Sequence, residues 1–540
     1  MKVILTALSA KLVHKTLAPW CLKAYCDTHD LGCQIMVQEH TVNDHVPDIV
    51  TSLYQGAPDV VGFSCYIWNI EAVNRVASML KKYLPPCIII LGGPEVSFET
   101  DCKAYPFADY IIQGAGEAAF LELLGEIRAG KISHGEIIKP QNPFILNDLP
   151  TPYTETYFKS FAEGRMASIE NQLIYFESSR GCPFSCTYCL SSAGNGVEEL
   201  SLERVFSELD SLVTHGAKCI KFVDRTFNAN RRRAEEIFRY LLTLETDCTF
   251  HFEAAADLFD EAHLKLISQM PPGRVQFEIG IQSTNRETLE EIDRAMDIER
   301  VLEMIRTLIG FGNCHIHVDL IAGLPFETPE TFAKGIDTCI GVRPHMLQLG
   351  FLKLLKGTKI RANSKAYSYV YNDFPPYEVF QSKSMGFTDL IKLRGIEAIV
   401  DKFYNSGAFK HTLTYALDHV FARPYELFEA LADFCKGENP KVSQKHAYTV
   451  LYRFLCAHID QTIAAHYIKL DCLTYNTKNV LPDEILPQRD RAAEQAFRRA
   501  SAHAYSNIRV EIFPYDSKTR VFIYDERNEL TREYKVIELP

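Results

Sequence analysis

The sequence predicts an α/β protein with three successive domains. A doubly wound parallel sheet comes first, a partial barrel of six β-α units follows, and a mainly helical domain with a terminal hairpin completes the chain. Two observations carry this prediction. Short apolar runs alternate with helix-length amphipathic segments over residues 1–140 and again over 171–365, whereas helical patterns dominate residues 366–540. The proline-rich stretch 141–170 is predicted as a linker.

The first domain contains five candidate strands and the helices between them. The strands are predicted at residues 3–5, 34–37, 59–64, 87–91 and 110–113, and the helices at 17–25, 46–54, 70–83 and 118–128. The strands are apolar along their whole length, which is typical of a parallel sheet covered on both faces. Ligands of such sheets bind beyond the carboxyl ends of the strands.

Polar and glycine-rich sequences follow three of these strands. They are Ser64-Cys65-Tyr66-Ile67-Trp68-Asn69, Gly92-Gly93-Pro94-Glu95 and Gly114-Ala115-Gly116-Glu117. Glycine lets the backbone approach a ligand closely, and its exposed N–H groups can meet phosphate or amide groups. Tight turns explain any one of these loops equally well, but three at corresponding strand ends favour a ligand site.

The second domain opens with a cysteine cluster in the run RGCPFSCTYCL. Cys182, Cys186 and Cys189 follow a Cys-x₃-Cys-x₂-Cys pattern, and three thiolates on one loop suit an iron–sulfur cluster. A fourth cysteine is missing from the run, so one iron would stay open for a substrate or cofactor. A zinc site and buried free cysteines are the alternatives.

Six candidate strands build the barrel, at residues 173–176, 219–223, 249–254, 275–281, 315–321 and 346–352. Helical patterns lie between them, for example at 202–213, 233–244 and 299–308. Barrels of this kind carry their sites at the carboxyl ends of the strands. The polar or glycine residues at those ends here are Asp224, Glu253, Gln282, Ser283 and Gly323.

Composition excludes several classes of function. A net charge of −12 and the lack of a long basic run argue against general nucleic-acid binding. No apolar stretch reaches 18 residues, so no membrane span is expected. The first residues predict a buried strand rather than a signal peptide. The 16 scattered cysteines favour reduced thiols and a cytoplasmic location.

The cysteine run resembles the signature of the radical S-adenosylmethionine (SAM) superfamily, with Tyr188 at its aromatic position. This resemblance implies a 4Fe–4S cluster whose open iron chelates SAM. It also implies reductive cleavage of SAM to a 5′-deoxyadenosyl radical, with a flavodoxin- or ferredoxin-type protein as single-electron donor. The segments FVDRTFN, FEIGIQS, DLIAGLP and GFLKLLKGT resemble the family's TIM-type barrel.

The resemblance extends to contacts with SAM. The implied contacts are Tyr188, Asp224, Glu253, Gln282, Ser283 and Gly323. Phe326 precedes Glu327 where the family commonly continues Gly-Glu, a small departure. Arg294 either meets the carboxylate of SAM or pairs with Glu290 one helical turn earlier.

The first domain resembles the Rossmann-like cobalamin-binding domain that precedes many radical SAM enzymes. LTALSAKLVHKTLA, VVGFSCYIWN, IILGGPEVS and IIQGAGEAAF match its elements in order. The implied cobalamin contacts are Thr6, Ser64, Tyr66, Trp68, Gly92, Gly93, Pro94, Glu95, Gly114, Gly116 and Glu117.

One feature of that family is missing from this domain. The Asp-x-His-x-x-Gly motif that supplies a histidine to cobalt is absent, and the spacing of His40 and His45 does not match it. We therefore expect cobalt to lack a protein imidazole, with Tyr66, Ile67 or Trp68 covering its lower face.

Together the resemblances imply an enzyme that transfers a methyl group from methylcobalamin to an unactivated carbon of an unknown organic substrate. Residues 366–540 resemble a poorly characterised accessory domain, for which no activity is implied. Non-methylating radical cyclisation or rearrangement stays open as an alternative. A non-catalytic cobalamin- or cluster-binding sensor is the alternative from another class.

Overall fold

The computed structural model describes residues 1–140, 145–165, 168–193, 196–437, 442–501 and 504–539. The chain forms two compact units. The first comprises Met1–Gln269, Glu290–Ala295 and Leu352–Ser382, and the second comprises Met270–Leu289, Met296–Phe351 and Lys383–Pro540.

The first unit begins with a six-stranded, wholly parallel sheet in the order β2-β1-β3-β4-β5-β6. Its strands are β1 (Lys2–Ser9), β2 (Gln34–Thr41), β3 (Val60–Ser64), β4 (Ile88–Gly92), β5 (Tyr110–Ile112) and β6 (Glu136–Ile138). Its helices are α1 (Ala18–Asp27), α2 (Val46–Gln55), α3 (Ile70–Tyr83), α4 (Pro94–Ser97) and α5 (Glu117–Arg128). Ile4 and Leu5 point into separate apolar cores, so the sheet is covered on both faces as predicted.

The stretch predicted as a linker contains regular structure. Helix α6 (Glu155–Glu163) begins where the Thr154 side chain accepts a hydrogen bond from the Tyr157 N–H at 3.3 Å, and Tyr157 and Phe161 are buried. The helix spans only nine residues and follows two prolines, so its apolar pattern is short. Residues 141–144 and 166–167 of this stretch lie outside the described residues. The domain limits themselves stay predictions.

Three parallel strands complete the core of the first unit. The elements that follow α6 are β7 (Leu173–Phe176), β8 (Ser179–Gly181), β9 (Val197–Glu199), α7 (Leu202–Thr214), β10 (Cys219–Phe222), α8 (Arg231–Thr243), β11 (Thr249–Glu253) and α9 (Glu261–Ser268). Strand β10 pairs with β7 on one side and with β11 on the other. Alternation along the strands turns Ile220 into the apolar core and Lys221 to the opposite face.

The loop after β1 lies beside the first residue of β7. The Leu173 N–H donates to the Val13 carbonyl at 2.7 Å, and the Lys15 N–H donates to the Leu173 carbonyl at 3.3 Å. His14 therefore forms a parallel bridge with Leu173. The first domain thus supplies a short extended segment that pairs with barrel strand β7.

The second unit contains the remaining predicted barrel strands. Its elements begin with β12 (Val275–Gln282), α10 (Arg286–Glu291), α11 (Ile298–Phe311), β13 (Cys314–Ala322), α12 (Pro329–Gly341) and β14 (Met346–Phe351). Strand β13 pairs in parallel with β12 and with β14. All six predicted barrel strands are confirmed. The chain then returns to the first unit with α13 (Lys359–Ala362), β15 (Val370–Tyr371) and β16 (Val379–Gln381).

The rest of the second unit is mainly helical. It contains α14 (Phe387–Ile399), a π-helical turn (Val400–Asn405), α15 (Lys410–His419), α16 (Pro424–Phe434), α17 (Gln444–Cys456), α18 (Gln461–Tyr475) and α19 (Arg491–Ala500). The predicted hairpin is a three-stranded antiparallel sheet of β17 (Ile508–Phe513), β18 (Lys518–Arg527) and β19 (Tyr534–Leu539). The predicted fold class is confirmed. Among the described residues, no helix combines the length and apolarity that a membrane crossing requires.

Candidate cofactor site

A cavity of about 1080 Å³ opens in the first unit at the carboxyl ends of β1, β3, β4 and β5. Every predicted cobalamin contact except Thr6 lines it: Ser64, Tyr66, Trp68, Gly92, Gly93, Pro94, Glu95, Gly114, Gly116 and Glu117. Thr6 is buried, and its hydroxyl donates to the Gln38 carbonyl at 2.8 Å. The same cavity is lined by Tyr188 and Cys189 of the cysteine loop. The loops after β3, β4 and β5 and the cysteine loop therefore line one space.

The loop after β4 depends on glycine at position 93. Gly93 has a φ of +114°, and an added Cβ would lie 2.6 Å from the Cys65 carbonyl oxygen. The Cys65 N–H donates to the Gly92 carbonyl at 2.7 Å, which holds the loops after β3 and β4 together. The positive φ and the close approach of Cys65 therefore leave room for glycine alone at this position of the cavity-lining loop.

Two aromatic rings form a flat surface in the loop after β3. The rings of Tyr66 and Trp68 stack with centroids 4.4 Å apart and planes 10° apart, and Trp68 is 53% exposed. The buried side chain of Asn69 fixes this loop, because it accepts from the Tyr66 N–H at 2.7 Å and donates to the Ser64 carbonyl at 2.9 Å. Burial raises the pKa of Tyr66 to about 12. A planar macrocycle fits such a surface.

Of the histidines in the described chain, His14 alone lines the cavity. Its Nδ1 lies 2.8 Å from the Tyr175 hydroxyl oxygen. Burial, followed by Lys11 and Lys221, lowers the pKa of His14, so the ring is neutral at pH 7. His40 and His45 do not line the cavity, in agreement with their unsuitable spacing.

The cysteine loop follows a tight backbone turn. Gly181 has a φ of +107°, and an added Cβ would lie 2.2 Å from the Gly196 carbonyl oxygen, where β8 pairs with β9. Cys182, Cys186 and Cys189 are all free thiols. The Ser192 hydroxyl donates to the Cys186 and Cys189 carbonyls at 3.0 and 2.7 Å. The three sulfurs therefore sit on one short, internally bonded loop.

Neighbouring segments of the first unit hold this loop from outside. The Thr187 N–H donates to the Ile292 carbonyl at 2.9 Å, and the Ile360 N–H donates to the Thr187 carbonyl at 3.0 Å. Arg294 Nη1 lies 3.6 Å from Cys186 Sγ and 3.4 Å from the Tyr188 hydroxyl. Helix α10 ends at Glu291 and the chain turns at Asp293 with a φ of +54°, so Arg294 lies beyond the helix. Both interpretations of Arg294, as a SAM contact and as a partner of Glu290, stay predictions.

An ion-pair network joins the cysteine loop to the first sheet. Arg180 donates to Glu177 at 2.8 and 2.7 Å and to Glu117, the first residue of α5, at 2.8 Å. Burial disfavours the charge of Arg180, but the hydrogen bonds that it donates to Glu177 and Glu117, with the charges of these carboxylates, outweigh burial and raise its pKa. Arg180 therefore stays charged and fixes the cysteine loop against the Gly114–Glu117 loop.

Three of the six predicted SAM contacts, Tyr188, Asp224 and Glu253, belong to the first unit. Tyr188 and Glu253 line the cavity. Asp224 is buried and accepts hydrogen bonds from the backbone N–H groups and the hydroxyls of Ser178 and Ser179, at 2.6 to 3.1 Å. This carboxylate holds the start of the cysteine loop in place.

The other three predicted contacts belong to the second unit. Gln282 has a φ of +70° at a bulge of β12, and Gly323 has a φ of +90° after β13. The buried Ser283 donates its hydroxyl proton to Glu327 and accepts from the Asn285 N–H at 3.0 Å. Their roles as SAM contacts stay predictions.

The residues of the first unit fit the implied cofactors. Three free thiols on a constrained loop suit an iron–sulfur cluster with one open iron. The cavity exceeds the range of ordinary small-molecule pockets, roughly 300–1,000 Å³. Its glycine-containing loops after β4 and β5 and its stacked aromatic surface suit a corrin.

Several cavity residues were not found from the sequence. They are His14, Tyr175, Arg180, Lys221, Arg225 and Lys356. Arg225 and Lys356 lie inside the segments FVDRTFN and GFLKLLKGT, so the motifs themselves held a signal. Nothing in the sequence pattern singles out His14 or Tyr175, because their proximity depends on the loop that pairs with β7.

Three family descriptions match successive parts of the chain. "B12 binding domain" matches residues 3–124, "Radical SAM superfamily" matches 176–339, and "Protein of unknown function (DUF4080)" matches 365–521. The first two matches coincide with the sheet and the barrel strands that were predicted to hold cobalamin and the cluster.

Curated relatives and solved structures extend the comparison. An uncharacterized methyltransferase of Pyrococcus horikoshii is 28% identical over 54% of this chain and 67% of its own length. The cobalamin-dependent radical SAM methyltransferase TokK of Streptomyces tokunonensis is 25% identical over 59% of this chain. The match spans only 50% of the length of TokK.

Two solved structures share the fold. The cobalamin-dependent SAM radical enzyme OxsB with aqua-cobalamin bound has a TM-score of 0.59 at 15% identity, over 93% of this chain and 76% of OxsB. The radical SAM methyltransferase TsrM of Kitasatospora setae, with cobalamin and a [4Fe-4S] cluster bound, has a TM-score of 0.54 at 18% identity, over 70% of this chain and 78% of TsrM.

Proposed function

Because this chain belongs to the cobalamin-binding radical SAM enzymes, we propose that it is a cobalamin-dependent C-methyltransferase acting on an unactivated carbon. One observation carries the proposal: a single cavity is lined by the cobalamin-type loops and by Tyr188 and Cys189 of the cysteine loop. The chemistry that the cofactors supply when bound is reductive cleavage of SAM to a 5′-deoxyadenosyl radical and donation of a methyl group.

The residues of this chain bind and orient the cofactors. Cys182, Cys186 and Cys189 hold the cluster, and Tyr188 and Glu253 line the cavity as the candidate SAM contacts. The loops Gly92–Glu95 and Gly114–Glu117 hold the corrin at the strand ends. Close placement of the reacting groups supplies much of the rate enhancement in such reactions.

We propose that the stacked rings of Tyr66 and Trp68 form the surface on which the corrin would rest. A bound corrin would lie against this flat stack, which offers no imidazole to cobalt. His14 is the cavity histidine of the described chain, and its Nδ1 is engaged by the Tyr175 hydroxyl. Nitrogen hyperfine splitting from a histidine on the cob(II)alamin spectrum would contradict this assignment.

Apolar residues of the cavity wall exclude water from the space between the cofactor sites. They include Leu190, Val223 and Leu355. A dry site protects a reactive carbon radical from side reactions.

The proposal requires an electron donor. We propose a flavodoxin- or ferredoxin-type protein, because reductive cleavage consumes one electron for each SAM. The cytoplasmic location stays a prediction that rests on the reduced cysteines.

Label transfer tests the proposal. Anaerobically reconstituted protein is incubated with SAM carrying a ¹³C-methyl group, reductant and extract of a strain that lacks the gene, because that extract contains the unused substrate. We expect 5′-deoxyadenosine and one product with the labelled methyl group, and neither with the Cys182→Ala, Cys186→Ala or Cys189→Ala protein. Comparing metabolites of the deletion strain and its parent then identifies the substrate.

Other outcomes of this assay point to the alternatives. Formation of 5′-deoxyadenosine and an altered but unlabelled product would assign non-methylating cyclisation or rearrangement. Complete absence of 5′-deoxyadenosine from protein that holds its cluster would favour a sensor. Failure of the protein to bind hydroxocobalamin would show that its first domain does not bind cobalamin.

A further inference from the structure

Arg225 occupies a distinctive position in the cavity. Its neighbour Asp224 is fixed by four hydrogen bonds, and its other neighbour, Thr226, places Oγ1 3.7 Å from Cys182 Sγ. The exposed guanidinium lines the cavity and acts electrostatically on the Tyr66 phenol, lowering its pKa against the effect of burial. Arg225 thus lies between the cysteine loop and the aromatic surface proposed to carry the corrin.

The other cations of the cavity wall have acidic neighbours. Lys15 pairs with Glu39, Arg180 with Glu117 and Glu177, and Lys356 with Glu95, while Lys221 Nζ lies 4.0 Å from Glu253 Oε1. Within the part of the chain that the structure describes, no carboxylate lies within ion-pair distance of Arg225. Its positive charge is therefore the uncompensated one on the wall.

We propose that Arg225 binds a carboxylate group of the substrate, which would make the substrate an organic acid. This inference rests on the proposed function, because it assumes a substrate between the two cofactor sites. A guanidinium presents parallel N–H donors that match a carboxylate, and charge-assisted pairs of this kind are the stronger hydrogen bonds. Beside Arg225, Lys221 and Glu253 offset one another, whereas Arg180 faces two carboxylates. The single unpaired guanidinium on the described cavity wall therefore matches a monoanion better than a phosphate dianion.

Binding of acetate and acetamide tests the proposal without turnover. The two probes have similar shape and differ in charge. Protein holding the oxidised cluster and cob(II)alamin is saturated with SAM, so that the SAM carboxylate already occupies its own site. Paramagnetic relaxation of the methyl protons by cobalt then reports binding of each probe close to the corrin.

We expect the wild-type protein to bind acetate roughly tenfold more tightly than acetamide, as one charge-assisted hydrogen bond provides. Arg225→Gln should remove this preference, and Arg225→Lys should restore part of it. Arg232→Gln replaces an exposed arginine on α8, outside the cavity, and should leave the preference unchanged. Cluster absorbance and cobalamin content of each variant establish that it is folded and loaded.

Several results would overturn the proposal. Equal binding of acetate and acetamide by the wild-type protein, or unchanged acetate preference in Arg225→Gln, removes the subsite. Lower affinity of Arg225→Gln for SAM or cobalamin assigns the arginine to a cofactor instead. Tighter binding of inorganic phosphate than of acetate replaces the organic acid with a phosphorylated ligand.

Failure of the proposed function is recognised separately. Protein that binds no cobalamin or makes no 5′-deoxyadenosine contradicts the proposed function, whatever the acetate result. In that case acetate and acetamide are titrated against the fluorescence of Trp68, which stacks on Tyr66 near Arg225. The same comparison of Arg225→Gln with Arg232→Gln then decides whether the anion subsite exists.

Discussion

The three cysteines of the loop after β8 differ from the rest of the cysteines in their setting. They lie on one constrained loop, whereas cysteines such as Cys65 and Cys339 are isolated thiols inside apolar cores. Cys182→Ala, Cys186→Ala or Cys189→Ala should each abolish the iron–sulfur absorbance near the visible region, because a cluster with two protein ligands is poorly held. Cys33→Ala, at a partly exposed position, should retain it.

Iron and sulfide analysis of anaerobically purified variants measures this prediction. Full cluster content in any of the three loop variants contradicts the ligand assignment. Zinc in place of iron in the wild-type protein contradicts it as well.

Gly93 allows a test of whether the loop after β4 holds cobalamin. Gly93→Ala introduces a Cβ at 2.6 Å from the Cys65 carbonyl oxygen on a backbone with a φ of +114°. Roughly 1–3 kcal/mol of strain is expected, and we expect weaker binding of hydroxocobalamin with an unchanged cluster. Gly125→Ala on α5 has open space around its Cβ and serves as the control. An unchanged dissociation constant for cobalamin in Gly93→Ala would show that the loop after β4 does not hold the corrin.

Helix α5 is linked to the start of the cysteine loop through its first residue, Glu117, which pairs with Arg180. Glu117→Gln removes a carboxylate that accepts a charged hydrogen bond from Arg180, at a cost of about 1.5–3 kcal/mol in the free energy of unfolding. We expect a lower denaturant midpoint and faster loss of the cluster during dialysis. Glu122→Gln, on the exposed side of the same helix, should behave as wild type. Equal cluster loss in the two variants would show that the ion pair does not stabilise the cysteine loop.

The strands of the barrel could be predicted from the sequence, whereas one helix could not. The strand periodicity predicted β7 with its actual bounds, and the other barrel strands to within one or two residues, because each is a continuous or alternating apolar run. Helix α18 is difficult to predict from the sequence because Lys469 and Asp471 are buried on it, which breaks the apolar pattern. Asp471 accepts from two backbone N–H groups at the start of α15, a contact that no local pattern reveals.

The site was predicted unevenly for the same reason. The predicted cluster and cobalamin contacts occur in local motifs, so Cys182, Gly93 and Trp68 were singled out directly, and their roles stay predictions. Arg180, Lys221 and Arg225 acquire their roles from segments distant in the chain. Tertiary contacts of this type leave no periodicity in the sequence.

For the molecule as a whole, a buried histidine predicts a pH-dependent stability. Burial lowers the pKa of His466 to about 4, against 6.5 in an unfolded chain. Between these values the unfolded chain binds a proton that the folded protein excludes, so the free energy of unfolding falls as the pH falls from about 6.5 to 4. Its full extent is about 3 kcal/mol.

Chemical denaturation at pH 7 and pH 5 measures this effect. His466→Gln should weaken the pH dependence, whereas His419→Gln, at an exposed position on α15, should preserve it. Equal slopes in His466→Gln and wild type would mean that other groups govern the acid sensitivity.

The short bridge between His14 and Leu173 has a consequence for attempts to excise the barrel. A fragment starting near residue 168 would leave the backbone groups of Leu173 without Val13 and Lys15 as partners. Unpaired edge strands form backbone hydrogen bonds with other chains and so promote aggregation. Separate expression of this fragment should therefore give oligomers or inclusion bodies, and co-expression of residues 1–140 should restore a soluble, non-aggregated complex.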